Sequence, residues 1–190
     1  MRLGILALQG AFAEHASMLG SLGAEAVLVR TSAQLDGLRG LVLPGGESTS
    51  MRRLAAQNGL DAAIRAFGAR RPVWGVCAGL ILLASRIEGE EPFLGLIDMG
   101  VARNAYGRQQ DSFVSDLCFE GLRDCRPYPG VFIRAPRIAE TGAGVKVLAR
   151  LGEAPVAVRQ GHALATAFHP ELTGDGRVHR WFLELCAEEG

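Results

Sequence analysis

A cysteine framed by two glycines limits what this chain can become. Residues 72–83 read Pro72-Val73-Trp74-Gly75-Val76-Cys77-Ala78-Gly79-Leu80-Ile81-Leu82-Leu83. The β-branched start predicts a buried strand, and the Ala- and Leu-rich end predicts a helix. Gly75 and Gly79 stand two residues either side of Cys77, the small neighbours that a sharp strand-to-helix turn requires. In that geometry the thiol sits at the carboxyl edge of a sheet, over the N-terminus of the next helix, which favours thiolate. The same twelve residues also fit a buried core cysteine, the commoner fate of a free thiol. The stretch alone leaves both readings open.

The flanking sequence supplies the sheet. Leu3 to Leu8 is a continuous apolar run, as in a strand covered on both faces. Gln9-Gly10 breaks it, and Phe12, Ala16 and Leu19 predict a helix by their spacing. Further strands are expected over 26–29 and 40–43, with a short helix opened by Thr31-Ser32 between them. The loop Pro44-Gly45-Gly46-Glu47-Ser48 follows, with Ser48 expected to cap the helix carrying Met51 and Leu54. Gly59 interrupts that segment before a helical stretch to Phe67. Strands alternating with helices through short glycine turns indicate a mostly parallel, doubly wound α/β sheet of three layers, flavodoxin-like. Functional groups of such sheets gather beyond the carboxyl ends of the strands. Gln9-Gly10, the Pro44–Ser48 loop and Cys77 would all stand there.

The second half is expected to form short strands at 99–103, 113–119, 131–133, 145–148, 154–159 and 163–168, with Gly161 as a hairpin signal. This reads as an antiparallel extension packed on the parallel sheet. A closing helix places Val178, Trp181, Phe182 and Leu185 on one core-facing stripe. No repeat or linker divides the 190 residues, which fit a single domain.

Composition excludes several classes. Lys plus Arg and Asp plus Glu number 20 each, so no net field favours nucleic acid or anionic lipid. No apolar run has the length of a membrane span, and the first residues read directly as a strand rather than a signal peptide. A cytoplasmic protein is expected. Cys77, Cys118, Cys125 and Cys186 form no C-x-x-C pair, which argues against a zinc site, and the setting argues against disulfides. Packing is the expected role of the last three.

A catalytic thiol needs a base, and the base an orienting group. Of the four histidines, His15 and His179 are expected on solvated helix surfaces and His162 in the hairpin turn. His169 ends the last strand and precedes Pro170 and Glu171. Proline holds the residue before it extended, and residues two apart in an extended chain share a side. Glu171 can then accept from the His169 ring and turn its other nitrogen toward Cys77. A satisfied histidine and an exposed glutamate would give the same three letters. The combination of G-x-C-x-G, P-G-G-E-S and H-P-E, in this order, is much more specific.

On these residues the chain resembles class I, triad-type glutamine amidotransferases. More narrowly, it resembles the glutaminase subunits of pyridoxal 5'-phosphate synthases over essentially its full length. The narrower likeness lies in Leu8-Gln9-Gly10, the Leu43–Thr49 loop, Arg103-Asn104-Ala105-Tyr106-Gly107-Arg108-Gln109, Phe132-Ile133-Arg134-Ala135-Pro136 and Phe168–Leu172. Val114 is a departure, standing where relatives are expected to carry an acid.

The resemblance implies Cys77 as nucleophile, His169 as general base and then acid, and Glu171 as the orienting carboxylate. It implies an oxyanion hole from backbone N–H groups of Ala78 and of the Gly45-Gly46 loop. The glutamine pocket carries over to Gly46, Glu47, Ser48, Arg103, Ile133 and Arg134, with arginine apt for an α-carboxylate. No metal or bound cofactor is implied. The implied partner is a (β/α)₈-barrel synthase subunit that takes up the ammonia, with hydrolysis weak until it docks. Rival readings are a glutaminase serving another acceptor such as imidazole glycerol phosphate synthase, a silent flavodoxin-like scaffold, and a cysteine peptidase.

Overall fold

The computed structural model describes residues 1–103, 112–124 and 126–188. Most of the Arg103–Gln109 segment and Cys125 therefore lie outside the described residues. The first half alternates as the sequence predicts: β1 (Arg2–Leu6), α1 (Phe12–Ser21), β2 (Glu25–Val29), β3 (Leu41–Leu43), α2 (Ser48–Gln57), α3 (Leu60–Gly68), β4 (Val73–Val76) and α4 (Ala78–Leu83). A 3₁₀ turn over Ser32–Leu35 lies between β2 and β3, opened by a capping box at Thr31.

The second half holds β5 (Ala84–Ile87), β6 (Ile97–Ala102), β7 (Ser112–Leu117), β8 (Tyr128–Ile133), β9 (Arg137–Thr141), β10 (Lys146–Leu151), β11 (Ala154–Gln160), β12 (Ala163–Thr166) and α5 (Arg177–Glu188). Strands β5 and β9 are additions to the sequence reading. The apolar run after Cys77 makes only six helical residues before Ala84 turns extended, and β9 buries only Ile138.

Seven strands form the central sheet in the order β10-β11-β12-β4-β3-β1-β2. The pairs from β2 through β12 are parallel, whereas β11 and β10 continue the edge antiparallel. The expected mostly parallel α/β sheet with an antiparallel extension is thus present, with that extension hydrogen-bonded into the main sheet. The remaining strands make separate sheets, β5-β6-β9 and β7-β8.

Strand β4 shows how the layers are fixed, because successive side chains point to opposite faces. Trp74 points to α1 and α5, with its ring centroid 5.3 Å from Phe182 and 4.9 Å from His179. Gly75 faces the other way, where an added Cβ would strike the Gly79 carbonyl and Leu83 of α4. Both faces are covered and the strand is wholly buried. Truncating an aromatic such as Phe182 here would cost about 3–5 kcal/mol. No helix among the described residues is long and apolar enough to cross a membrane.

Two local expectations are corrected. Glu47, not Ser48, caps α2, because its carboxylate accepts from the N–H groups of both Thr49 and Ser50 at 2.8 Å. Those hydrogen bonds, first that from Thr49, hold its pKa at about 2. Cys118 is exposed rather than packed, while Cys186 is buried, with its sulfur where a side chain on Gly40 would sit.

Candidate active site

The turn from β4 to α4 positions the thiol. Cys77 adopts φ 49° and ψ −100°, a conformation that strains a residue bearing a Cβ by roughly 1–3 kcal/mol. Its N–H donates to the Thr166 carbonyl at 2.8 Å, which extends the β4–β12 ladder to the elbow. Glycine is required at both flanks. An added Cβ at Gly79 would overlap the Leu43 carbonyl, and one at Gly75 would overlap Gly79. The chain can turn under the cysteine only because those two positions lack side chains. Cys77 is 8% exposed, and its sulfur lies 4.0 Å from the Ile133 carbonyl.

His169 approaches from the neighbouring strand. Strand β12 ends at Thr166, short of the expected Phe168, and the chain enters a 3₁₀ turn over Pro170–Leu172. His169 itself is extended, at φ −104° and ψ 90°, and its N–H is fixed by the Val131 carbonyl at 2.7 Å. Its Nδ1 meets Glu171 Oε1 at 2.7 Å, so the expected contact forms across a turn rather than along a strand. Burial alone would push the imidazole pKa down. Hydrogen bonds to Cys77 and then Glu171, together with their charges, raise it instead from 6.5 to about 10. Such a ring is an imidazolium at neutral pH. Glu171 is buried rather than exposed.

These groups open onto a cleft of about 520 Å³ that is lined by Gly45, Gly46, Glu47, Ser48, Cys77, Ala78, Arg103, Ile133, Arg134 and His169. Every site residue expected from the sequence lines it except Glu171, which stands behind His169. The loop over Gly45 lies directly against the base, since an added Cβ on Gly45 would overlap the His169 ring. The Gly45 carbonyl accepts from Ala11 N–H at 3.0 Å. Its trans peptide therefore directs the Gly46 N–H away from that helix start. Arg103 hydrogen-bonds Ser48 Oγ and Glu90, reaches Thr49 Oγ1 at 3.2 Å and lies 3.6 Å from Glu47. Arg134 reaches the cleft with φ 42°, a second strained non-glycine backbone at the site.

Three polar groups here carry contacts that the sequence did not give, although it placed Gln9 at this edge. Gln9 lines the cleft and accepts the Glu47 N–H at 2.7 Å, tying the end of β1 to the loop. His15 and His179, expected at the surface, are both fully buried. Their ring nitrogens lie 3.0 Å apart, and His15 Nε2 lies 3.4 Å from Glu171 Oε2. Burial and then the charges of His179 and His169 hold the His15 pKa well below 6.5, and burial pushes that of His179 to about 3. Among the described residues no cluster of three His, Cys, Asp or Glu side chains is arranged to hold a metal ion.

Three comparisons bear on this arrangement. The chain is 52% identical, over 100% of its length and 97% of the relative's, to the pyridoxal 5'-phosphate synthase subunit PdxT of Pelotomaculum thermopropionicum. It is 53% identical to the PdxT of Thermus thermophilus, covering 97% of each chain. A crystal structure of a glutamine amidotransferase superposes with a TM-score of 0.92 at 50% identity, over 97% of this chain and 98% of that one. The profile of the SNO glutamine amidotransferase family matches residues 5–188, and the chain belongs to that family.

Proposed function

We propose that the chain is a single glutaminase domain that hydrolyses L-glutamine and passes the ammonia to a synthase subunit making pyridoxal 5'-phosphate in the cytoplasm. The observation that carries this reading is the line Glu171–His169–Cys77, which ends at the cleft shared by the Gly45–Ser48 loop and Arg103. Membership of the glutamine amidotransferase family and the names of its relatives support the substrate and the pathway.

The chemistry follows from the charges. The Cys77 thiolate attacks the side-chain amide carbon of glutamine, and the carbonyl electron pair moves onto oxygen. N–H groups of Ala78 and of the Gly45-Gly46 loop receive that oxyanion, each such donor contributing about 3 kcal/mol. The His169 imidazolium gives its Nε2 proton to the departing amine, releasing ammonia and leaving a glutamyl thioester. Neutral His169 then takes a proton from water, whose hydroxide attacks the thioester carbon. Collapse expels the thiolate, releases glutamate and leaves the imidazolium restored. Glu171 fixes the tautomer throughout. Arg103 and Arg134 receive the α-carboxylate, while Glu47, Ser48, Gly46 and Ile133 frame the amino-acid end.

Ammonia released into water is protonated and lost as a nucleophile, so a docked acceptor is part of the function. We place a (β/α)₈-barrel synthase there, with hydrolysis weak in its absence. The test is glutamate release by the chain with and without a pyridoxal phosphate synthase subunit. Release should rise on mixing and vanish in Cys77→Ala. Equal rates with and without the partner, or recovery of an unrelated synthase in a pull-down, would defeat the reading.

A further inference from the structure

The inference rests on the roles given above to Cys77, His169 and Glu171. Two buried histidines remain that this chemistry does not use, and they stand in line with it. His179 of α5 meets His15 of α1, Nε2 to Nδ1, at 3.0 Å. His15 Nε2 faces Glu171 Oε2 at 3.4 Å, while Glu171 Oε1 holds His169. His15 Nε2 and Glu171 Oε2 are both buried and neither makes a hydrogen bond in the structure, their 3.4 Å contact with each other included; His179 Nδ1 at the far end is likewise buried without a partner among the described residues. Each is the partner that the other's surroundings leave to it. Contacts around catalytic groups are often long before substrate binds and tighten afterwards.

The line sets the proton positions it needs. For His15 to donate to the Glu171 carboxylate, it must carry its proton on Nε2. A neutral His15 ring then has a bare Nδ1, and His179 must donate from its own Nε2. Both rings are neutral, as their lowered pKa values require. The titratable groups facing them are Glu171 and His169 from the turn after β12. Tyr128 of β8, which feels Glu171, is kept neutral by burial. Trp74 closes the pair from β4, edge-on to both rings at 5.7 and 4.9 Å.

We propose that His15 and His179 are positioning residues for glutamine hydrolysis, donating in series to Glu171 Oε2 so that the carboxylate stays oriented toward His169. Their contribution is greatest at the thioester. There His169 has given up its proton, and Glu171 has lost its cationic partner inside the protein. The two-ring line then supplies the second oxygen with a donor, without adding a charge that would compete with His169 for the proton from water.

The test uses the full chain mixed with a pyridoxal phosphate synthase subunit. His15→Leu removes the donor and should lower kcat roughly tenfold or more with KM nearly unchanged, by the sensitivity of such sites to small misplacements. Labelled glutamyl thioester should accumulate, and the pH profile of Cys77 alkylation should shift as His169 loses its oriented carboxylate. His15→Gln, whose amide nitrogen reaches the place of Nε2, should recover most of kcat. His15→Leu with an unchanged kcat and pH profile would overturn the proposal, as would failure of His15→Gln to outperform it. Nitrogen NMR of the unmodified chain is independent of how the variants fold: His15 should be neutral with its proton on Nε2, and a proton on Nδ1 or an imidazolium would overturn the proposal. If the unmodified mixture releases no glutamate, the functional reading fails, while the NMR tautomers still decide the ring assignment.

Discussion

On one side of Glu171 stands a histidine that gains a proton, and on the other stand two that refuse one. His169 and His15 are both buried and both within reach of the same carboxylate. Yet the pKa of His169 rises to about 10 and that of His15 falls well below 6.5. Burial opposes the charged form in both rings. His169 is raised by Cys77 and Glu171 against that cost, whereas His15 is lowered first by burial and then by the neighbouring histidines. His169 faces the Cys77 thiol, a latent anion, whereas His15 faces another imidazole. The contrast teaches that hydrogen-bonded neighbours can outweigh the cost of burial for one ring and leave that cost standing for the other.

The largest break in this contrast is removal of the thiol. Cys77→Ala should lower glutamate release by about 10⁴-fold or more, and a ring titration should find the His169 pKa reduced. Glu171→Gln should come next, with kcat falling by roughly 10²–10⁴ because the tautomer is lost. An undiminished rate there would mean that another group orients the base. Gly45→Ala pushes a methyl group into the His169 ring, and we expect about 10²-fold less activity from that displacement, alongside about 1–3 kcal/mol of lost stability from overpacking. Thermal unfolding and single-turnover kinetics on one preparation separate the two effects.

The smallest effect lies in stability against pH, where the two sides have opposite slopes. His169, raised above 6.5, contributes stability that is complete below that value and is lost as pH climbs toward about 10. His179, lowered to about 3, contributes stability that is complete above 6.5 and is lost as pH falls toward that value. Each slope is at most about 1.4 kcal/mol per pH unit. Denaturant melts should therefore be steepest at both flanks. His179→Phe should flatten only the acid flank, and flattening of the alkaline flank would contradict the assignment.

Much of this was legible in the sequence. The order of β1 to α4, the glycine-framed elbow and the His169–Glu171 contact follow from local patterns, though the turn that makes the contact was read as extended chain, and the central strands were visible as unbroken apolar runs. The buried histidines were missed for a definite reason. Their charged neighbours suggested surface, yet His15 lies three residues after Phe12 and four before Leu19, and His179 three before Phe182. Both sit on the apolar stripe of their helix, and that periodicity was the available signal. Strand β9 was hidden because a single buried residue, Ile138, leaves no alternation to detect. Glu47 as a cap was hidden because glutamate rarely serves there. Here its longer side chain folds back on its own backbone.

The adjacency of β4 and β12, where Val76 pairs with Thr166, has a consequence for synthesis. A ribosome delivers the cysteine long before the strand that brings the imidazole, so the growing polypeptide carries the thiol without its histidine. The thiol–imidazole pair of the proposed chemistry can therefore assemble only once the last parallel strand docks.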